Sequence, residues 1–291
     1  MEKKSLMNKN SPYAGSSIIL TTKHSKSIAI APSFLNLLSA EIIECEIDTD
    51  KLGTFSGEIE RAGNALECAK IKCELGMNVA DSYYGLSSEG SFGPHPYIPF
   101  LPCDNEILYF IDRDRHFHLY LSCLSEKTNY NMQSLDSMEE LQKFFEKALF
   151  PSHALIVRPD NKENKNYIFK GINAIDMLET AFKDSMKHST NGKVWVETDM
   201  RANMNPSRMI VIQGLAEELS RRLSALCAKC ETPGWGKVQV EKGLECSWCG
   251  IETEFIKAEI YGCTKCDRKE KMPPSHNLLK ADPGNCSYCN P

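Results

Sequence analysis

The strongest chemical signal in the sequence is a set of four Cys-x-x-Cys motifs near its end. A Cys-x-x-Cys turn directs two thiolates at one point, and two such turns supply the four-sulfur shell that Zn²⁺ prefers. Four sulfur ligands leave no coordination position for a substrate, so we predict two structural zinc sites. The predicted ligands are Cys227, Cys230, Cys246, Cys249, Cys263, Cys266, Cys286 and Cys289.

The spacing of the four motifs bears on how they pair. The intervals between them are 15, 13 and 19 residues. The first interval is typical of a zinc ribbon, so we expect sequential pairing, the first motif with the second and the third with the fourth. A cross-braced arrangement, in which alternate motifs pair, is the alternative.

The charge of this cysteine-rich tail bears on its partners. Residues 227–291 carry nine Lys or Arg and nine Asp or Glu, and each metallated tetrad adds about −2. Binding to a phosphate backbone draws on clustered positive charge, so a nucleic-acid role is disfavoured. We expect Trp235, Trp248 and Tyr288 to cover the small ribbon cores. A protein partner or self-association through the tail is the favoured interpretation.

A second group of chemically useful residues lies earlier in the chain. Hydrolysis between phosphates requires cations for the polyphosphate, carboxylates that hold Mg²⁺, and an activated water. The candidate catalytic residues are Asp50, Glu58, Glu89 and His95. The candidate substrate-binding residues are Thr22, Lys23, Lys26, Thr54, Arg61, Lys72, Ser91, Arg201, Asn203 and Arg208. The sequence contains neither a Walker-type phosphate loop nor a Gly-x-Ser-x-Gly elbow, which disfavours both of those enzyme classes.

Alternating strand and helix patterns must position these residues. Apolar runs predict strands at 17–20, 42–47, 106–111, 117–123 and 154–158. Apolar residues from Ile59 to Cys73 recur at helical spacing, with Ser56 as the expected N-cap. Residues 83–96 predict a short strand followed by a glycine-rich loop that a ligand could approach closely. Further helices are predicted at 138–149, 175–187 and 206–226.

Length and composition limit the class of protein. The chain has 291 residues, of which 42% are hydrophobic and 25% charged, with a net charge of −5. This balance is typical of a globular protein, and no apolar run is long enough to cross a bilayer. The N-terminus lacks the apolar segment of a signal peptide, so we expect a cytoplasmic protein. We predict a tail at 1–12, an α/β domain at 13–222 and a zinc-binding domain at 223–291.

The chain from about residue 15 onward resembles an uncharacterised bacterial family with a C-terminal zinc ribbon. Five stretches carry this resemblance: the threonine, lysine and histidine at residues 22–24, residues 48–58, residues 88–96, residues 199–206 and the terminal Cys286-Ser-Tyr-Cys-Asn-Pro291. The resemblance implies no established activity.

The order of motifs is also similar to that of inosine triphosphate pyrophosphatases, over residues 16–222. Two of the matching stretches are Thr21–Lys26 and Thr54–Glu58, the second of which precedes a helix that carries Arg61 and Lys72. The other matches are Glu89, which follows a predicted strand, and the stretch Asn205–Arg208. The acidic pair of that family is reduced here to Glu89. The resemblance implies a mixed sheet with flanking helices and Mg²⁺-dependent hydrolysis of a nucleotide or another phosphate-containing substrate.

Two other functions fit the same residues. In the first, the loop cluster holds a phosphorylated ligand without hydrolysing it, and the zinc tail contacts a partner protein. In the second, the chain is a zinc-ribbon nucleic-acid factor, for which a basic surface stripe would be the sign.

Overall fold

The computed structural model describes residues 11–47 and 63–291. The chain divides into two compact units, Met1–Leu219 and Ser220–Pro291, which are described separately. Asp50, Thr54, Glu58 and Arg61 lie outside the described residues.

The first unit is a mixed α/β structure, as the sequence predicts. Its helices are α1 (Ser27–Leu38), α2 (Ala65–Val79), α3 (Met138–Lys147), α4 (Ile175–His188) and the start of α5 (Pro206–Ser224). Its strands are β1 (Ser17–Thr21), β2 (Glu41–Cys45), β3 (Tyr84–Pro94), β4 (Pro102–Asp112), β5 (Phe117–Ser125), β6 (Met132–Leu135), β7 (Leu155–Pro159), β8 (Phe169–Ile172) and β9 (Val194–Thr198).

Five strands form one sheet in the order β2-β1-β3-β4-β5. Strand β1 is parallel to both β2 and β3, whereas β4 and β5 continue the sheet in antiparallel pairing. The chain leaves β1 toward β2 on one side and returns to β3 on the other. The strand order therefore reverses between β1 and β3, and such a switch point is where open α/β sheets bind ligands.

Strand β3 differs from the prediction of a short strand followed by a glycine-rich loop. It continues unbroken from Tyr84 to Pro94 and pairs with β4 along its whole length. Two of its three glycines serve close packing instead: a Cβ would lie 2.3 Å from Cγ of Met77 on Gly85 and 2.3 Å from Nη2 of Arg208 on Gly90. The glycines accommodate neighbouring side chains within a sheet, so their presence did not signal a loop.

Helix α2 begins later than its apolar pattern predicts. Asn64 is its N-cap: its side chain accepts a hydrogen bond from Glu67 N, and the Glu67 side chain returns one to Asn64 N. This reciprocal capping box satisfies two N–H groups at the helix start. Ser56, the N-cap expected from the sequence, lies outside the described residues. Within α2 the apolar face is the one that the sequence predicts, since Ala69 and Cys73 pack against β4.

Four antiparallel strands form the second sheet in the order β6-β9-β7-β8. Its core consists of apolar side chains from these strands and from α3 and α4, among them Leu141, Phe144, Val157, Phe182 and Val196. Ser137 caps α3, since its side chain accepts a hydrogen bond from Glu140 N.

The second unit is built on a three-stranded antiparallel sheet in the order β10-β11-β12. Its strands are β10 (Gly236–Lys242), β11 (Ile256–Gly262) and β12 (Lys269–Met272). Across residues 11–47 and 63–291, no helix combines the length and hydropathy that a membrane-spanning segment requires.

Candidate functional site

Lys26 is the N-cap of α1, at the end of the short loop that follows the carboxyl end of β1 at the switch point of the first sheet. Its side chain crosses to β3, where Nζ donates to the carbonyl oxygen of Ser88 at 3.0 Å and to its hydroxyl at 3.1 Å. Lys26 is almost fully buried. Burial, together with the Arg208 charge, lowers the pKa of Lys26 to about 8. The ammonium group is therefore still mostly protonated at neutral pH, and it is poorly hydrated.

Glu89 follows Ser88 and points to the opposite face of β3, where α2 packs. Nζ of Lys72, from α2, forms an ion pair with Oε1 of Glu89. The two side chains are only 14% and 6% exposed, respectively. An ion pair removed from water in this way interacts more strongly than a surface pair, because the surrounding dielectric is low. Glu89 and Lys72, two of the predicted site residues, are thus brought together.

A second ion pair occupies the other face of β3 and β4. Nε and Nη2 of Arg208 both donate to the carboxylate of Glu106, and neither side chain has any exposed surface. Nη1 of Arg208 donates to the carbonyl of Met200 at 2.6 Å. The guanidinium lies over Gly90, where a Cβ would approach its Nη2 to 2.3 Å. The sequence suggested Arg208 as an anion ligand, but in this structure it is the buried partner of a carboxylate.

Asp104 is a buried acid that the sequence did not single out. It lies two positions before Glu106 on β4 and is 1% exposed. Among the described residues no donor reaches either of its carboxyl oxygens, and the group close enough to share a hydrogen bond with it is the Glu106 carboxylate. Burial and the charge of Glu106 raise the pKa of Asp104 to about 8. Asp104 therefore carries a proton at neutral pH, which avoids placing a second negative charge beside Glu106.

The remaining predicted site residues are more dispersed. Thr22 is buried next to the end of β1, and Lys23 and Ser91 are half-buried. Arg201 forms a two-pronged pair with the buried carboxylate of Asp199, with distances of 2.9 Å and 2.5 Å. Asn203 is exposed.

His95 lies apart from Glu89. It follows the end of β3, and six residues of strand correspond to about 20 Å. Its Nδ1 accepts hydrogen bonds from the backbone N–H groups of Tyr97 and Ile98, both at 3.2 Å. In this position His95 stabilises the turn between β3 and β4.

Helix α5 begins at a polar arrangement that the sequence pattern revealed only in part. Asn205 Oδ1 accepts from Arg208 N at 3.0 Å, as an N-cap should. In addition, Nε2 of His153 lies 2.8 Å from the Ser207 hydroxyl and accepts from Ser207 N at 3.2 Å. Because His153 is 54 residues away in the sequence, no local pattern could have indicated it.

The second unit brings the eight C-terminal cysteines together as two tetrads. The first tetrad consists of Cys227, Cys230, Cys263 and Cys266, and the second consists of Cys246, Cys249, Cys286 and Cys289. Sulfur–sulfur distances are 3.7 and 3.5 Å in the first tetrad and 3.9 and 3.6 Å in the second. A tetrahedron with metal–sulfur bonds of ~2.3 Å has edges of about 3.8 Å, so both tetrads could hold Zn²⁺.

The pairing of the motifs is cross-braced, and the expectation of sequential pairing is wrong. Strands β10 and β11 are antiparallel and Gly236 pairs with Gly262, which brings the first and third motifs to the same end of the sheet. The second motif lies in the connection between these strands, at the other end. There Cys246 forms a bridge with Ala281, so that the fourth motif reaches the second. Strand pairing decides this arrangement, and the motif spacing does not encode it.

The sulfurs of each tetrad shift one another's pKa in different directions. Hydrogen bonds from the Thr232 hydroxyl and backbone N–H lower the pKa of Cys230 to about 6. A hydrogen bond with the Cys249 sulfur, together with burial, raises the pKa of Cys289 to about 12, as expected where four crowded thiolates would repel one another. A divalent cation would remove that repulsion and allow all four sulfurs to bind as thiolates.

The aromatic side chains at residues 235, 248 and 288 differ in their exposure to solvent. Trp235 is half-buried, with the Arg268 guanidinium 5.2 Å from its ring centre. Trp248 and Tyr288 are 80% and 72% exposed, so the expectation that they cover the metal cores is wrong. The short Cys-x-x-Cys turns leave these two side chains in solvent.

The sequence pattern of a family described as "Domain of unknown function (DUF6671)" matches residues 72–291, which is 220 of the 291 residues. The chain belongs to this family. The expectation of a family of unknown function is thereby confirmed, and the match includes both cysteine tetrads and Lys72, Glu89 and Arg208. No curated protein and no solved structure matches the chain.

Proposed function

We propose that the first unit binds a phosphate-containing ligand, of the nucleotide class, at the switch point between β1 and β3, and that it hydrolyses this ligand with Mg²⁺. One observation carries the proposal: Lys26 and Lys72 reach consecutive residues of β3, Ser88 and Glu89, beside the carboxyl end of β1. The two ammonium groups approach β3 from opposite faces, but Ser88 and Glu89 lie beyond Ser87, the last residue of β3 that pairs with β1. Both groups can therefore supply positive potential to a phosphate bound at this edge of the strand.

Each residue of the proposed site would have a separate role. Lys26 and Lys72 would bind phosphate oxygens, and the hydroxyl of Thr22 would add a neutral contact. Glu89 would be released from Lys72 when phosphate takes over the ammonium group. Its carboxylate would then be available to hold Mg²⁺ or to accept a proton from the attacking water. Mg²⁺, when bound, would neutralise phosphate charge. The resemblance of the motif order in the sequence to that of inosine triphosphate pyrophosphatases is what suggested this chemistry.

The second candidate is binding without hydrolysis. It is favoured by the contacts of the described carboxylates, because Glu89 pairs with Lys72 and Glu106 with Arg208. In such a site the lysine or arginine can leave its carboxylate partner and bind a phosphate group of the ligand instead. This exchange of partners requires no hydrolysis of the ligand.

The experiment is a screen of the purified protein with Mg²⁺ against a nucleotide panel, scored for release of pyrophosphate or phosphate. We expect Glu89→Gln to reduce turnover about 100-fold or more, because it removes the carboxylate but keeps its size. The matched control is Glu197→Gln, since Glu197 forms a comparable ion pair with Arg158 in the second sheet. Equal activity in Glu89→Gln and wild type would refute the catalytic role of Glu89.

Thermal shift on the same panel separates the two candidates. A nucleotide that stabilises the wild type but not Lys72→Met, with no product released, supports binding without hydrolysis. Neither stabilisation nor turnover with any member of the panel would reject both candidates.

For the second unit we propose that each tetrad holds a structural Zn²⁺. The sulfur–sulfur distances support this assignment, and metal analysis should find about two zinc ions per chain. A value below one would refute it. Cysteine–zinc sites persist in a reducing compartment, so we also propose a cytoplasmic location.

A further inference from the structure

Two exposed aromatic side chains belong to the second tetrad. They are Trp248, in Cys246-Ser-Trp-Cys249, and Tyr288, in Cys286-Ser-Tyr-Cys289. Each is the residue before the second cysteine of its motif. In the first tetrad the same positions hold Lys229 and Lys265. At this position of the turn, the second tetrad therefore carries aromatic side chains and the first tetrad carries cationic ones.

The exposure of Trp248 is a property of this turn. The backbone N–H of the third residue donates to the first sulfur of the motif, at 3.4 Å for Lys229, 3.4 Å for Trp248 and 3.3 Å for Lys265. Because the same bond holds a lysine in one motif and a tryptophan in another, the turn exposes this side chain whatever its type. A large apolar side chain that is exposed to water on a hydrogen-bonded turn is typical of an interaction site.

Charge is divided unevenly between the two halves of this unit. The half that carries the first tetrad, residues 227–242 and 256–272, has eight Lys or Arg and five Asp or Glu. The half that carries the second tetrad, residues 243–255 and 273–291, has four Asp or Glu and one Lys. Two of those four carboxylates, on Glu252 and Glu254, pair with lysines of the other half. Metallation of the second tetrad adds about −2 to the acidic half.

A groove of about 570 Å³ lies beside Trp248 in this acidic half. It is lined by Ser247, Trp248, Asp282, Pro283, Gly284, Cys289 and Asn290. Oδ1 of Asp282 accepts from Gly284 N at 2.7 Å, which holds the carboxylate in place at the groove. An aromatic face and a fixed carboxylate therefore line one groove.

We propose that this groove binds an arginine or lysine side chain from a basic segment of a partner protein. The cation would lie over the Trp248 indole and near Asp282, because an aromatic face and a carboxylate both attract positive charge. Tyr288, on the other motif of the same tetrad, would extend the contact surface. The acidic character of this half repels a phosphate backbone, so aromatic stacking on nucleic-acid bases is disfavoured.

The test uses the full-length, zinc-loaded protein and a fluorescein-labelled peptide of alternating glycine and arginine, with binding followed by anisotropy. We expect Trp248→Ala to raise the Kd of this peptide about fivefold or more, and Trp248→Phe to retain most of the affinity. Asp282→Asn keeps the hydrogen bond to Gly284 but removes the charge, and it should raise the Kd and weaken the salt dependence.

Controls address folding and non-specific attraction. The matched variant is Phe100→Ala, which removes an equally exposed aromatic side chain from the first unit and should leave the Kd unchanged. Zinc content near two per chain in each variant shows that the tetrads are intact. A peptide with glutamate in place of arginine should not bind.

Three outcomes would overturn the proposal. The first is that the arginine peptide does not bind. The second is that it binds equally well to Trp248→Ala and to wild type, which would reflect general attraction to an acidic protein. The third is that a single-stranded uridine oligonucleotide binds more tightly than the peptide and loses affinity in Trp248→Ala. That result would identify the surface as a nucleic-acid contact.

Discussion

Asp104 and Glu106 place two carboxyl groups in neighbouring positions on one face of β4, in the interior of the first unit. Arg208 neutralises Glu106, and Asp104 remains protonated because burial raises its pKa. Because one acid is paired with an arginine and the other is protonated, both can be buried on this face of the sheet without an uncompensated negative charge. It also means that the net charge of the cluster depends on pH.

The stability of the protein should reflect the titration of Asp104. Between pH about 4 and about 8 the folded state retains a proton that the unfolded chain has released, so rising pH favours unfolding in this window. Asp104→Asn removes the effect, and at pH 7 it should be more stable than wild type by on the order of 3 kcal/mol. Near pH 4 the difference should vanish. Urea unfolding of both proteins across this range measures it, and a difference that does not change with pH would contradict the prediction.

At the scale of the elements, β3 organises the first unit. It pairs with β1 and β4, contacts Lys26 through Ser88 and Lys72 through Glu89, and carries Gly90 beneath the Arg208 guanidinium. Gly90 allows the charged side chains of Arg208 and Glu106 to lie directly on the sheet, and Gly85 does the same for Met77. Close packing thus accounts for a composition that otherwise resembles a loop.

A pair of glycine substitutions within β3 tests this account. A methyl group on Gly90 would lie 2.3 Å from Arg208 Nη2 and 2.5 Å from Glu106 Oε1, whereas one on Gly93 meets nothing within 4 Å. We therefore expect Gly90→Ala to lower the free energy of unfolding by about 3 kcal/mol. Gly93→Ala should change it by less than about 0.5 kcal/mol. Similar losses for both variants in denaturant unfolding would show that the ion pair does not depend on Gly90.

At the scale of the whole molecule, the chain combines two units with different sources of stability. The first unit buries apolar side chains between its sheets and helices. The second unit has few such residues, and its three-stranded sheet ends in two cysteine tetrads. Metal binding is expected to supply much of its folding free energy, since ligand thiolates repel one another without the cation.

Zinc content of double variants should reveal the cross-braced pairing. Cys230 and Cys263 share a tetrad, whereas Cys230 and Cys246 do not. Changing Cys230 and Cys263 together to serine should leave about one zinc per chain, and changing Cys230 and Cys246 together should leave none. Sequential pairing predicts the reverse result. Cys45→Ser, a cysteine outside both tetrads, is the control and should retain two zinc ions.

The sequence by itself determined the features that depend on local spacing. Helical and alternating periodicities indicated most of the elements, and Cys-x-x-Cys motifs identified all eight residues of the tetrads. Those signals are local because turns, caps and periodic faces are set by neighbouring residues.

Only the tertiary structure decided which distant residues meet. It brings the first cysteine motif to the third, Arg208 to Glu106, and His153 to the start of α5. It also leaves Trp248 exposed where burial was expected. These outcomes depend on the order of the strands and on how side chains from distant parts of the sequence pack against one another. No short stretch of sequence encodes either of them.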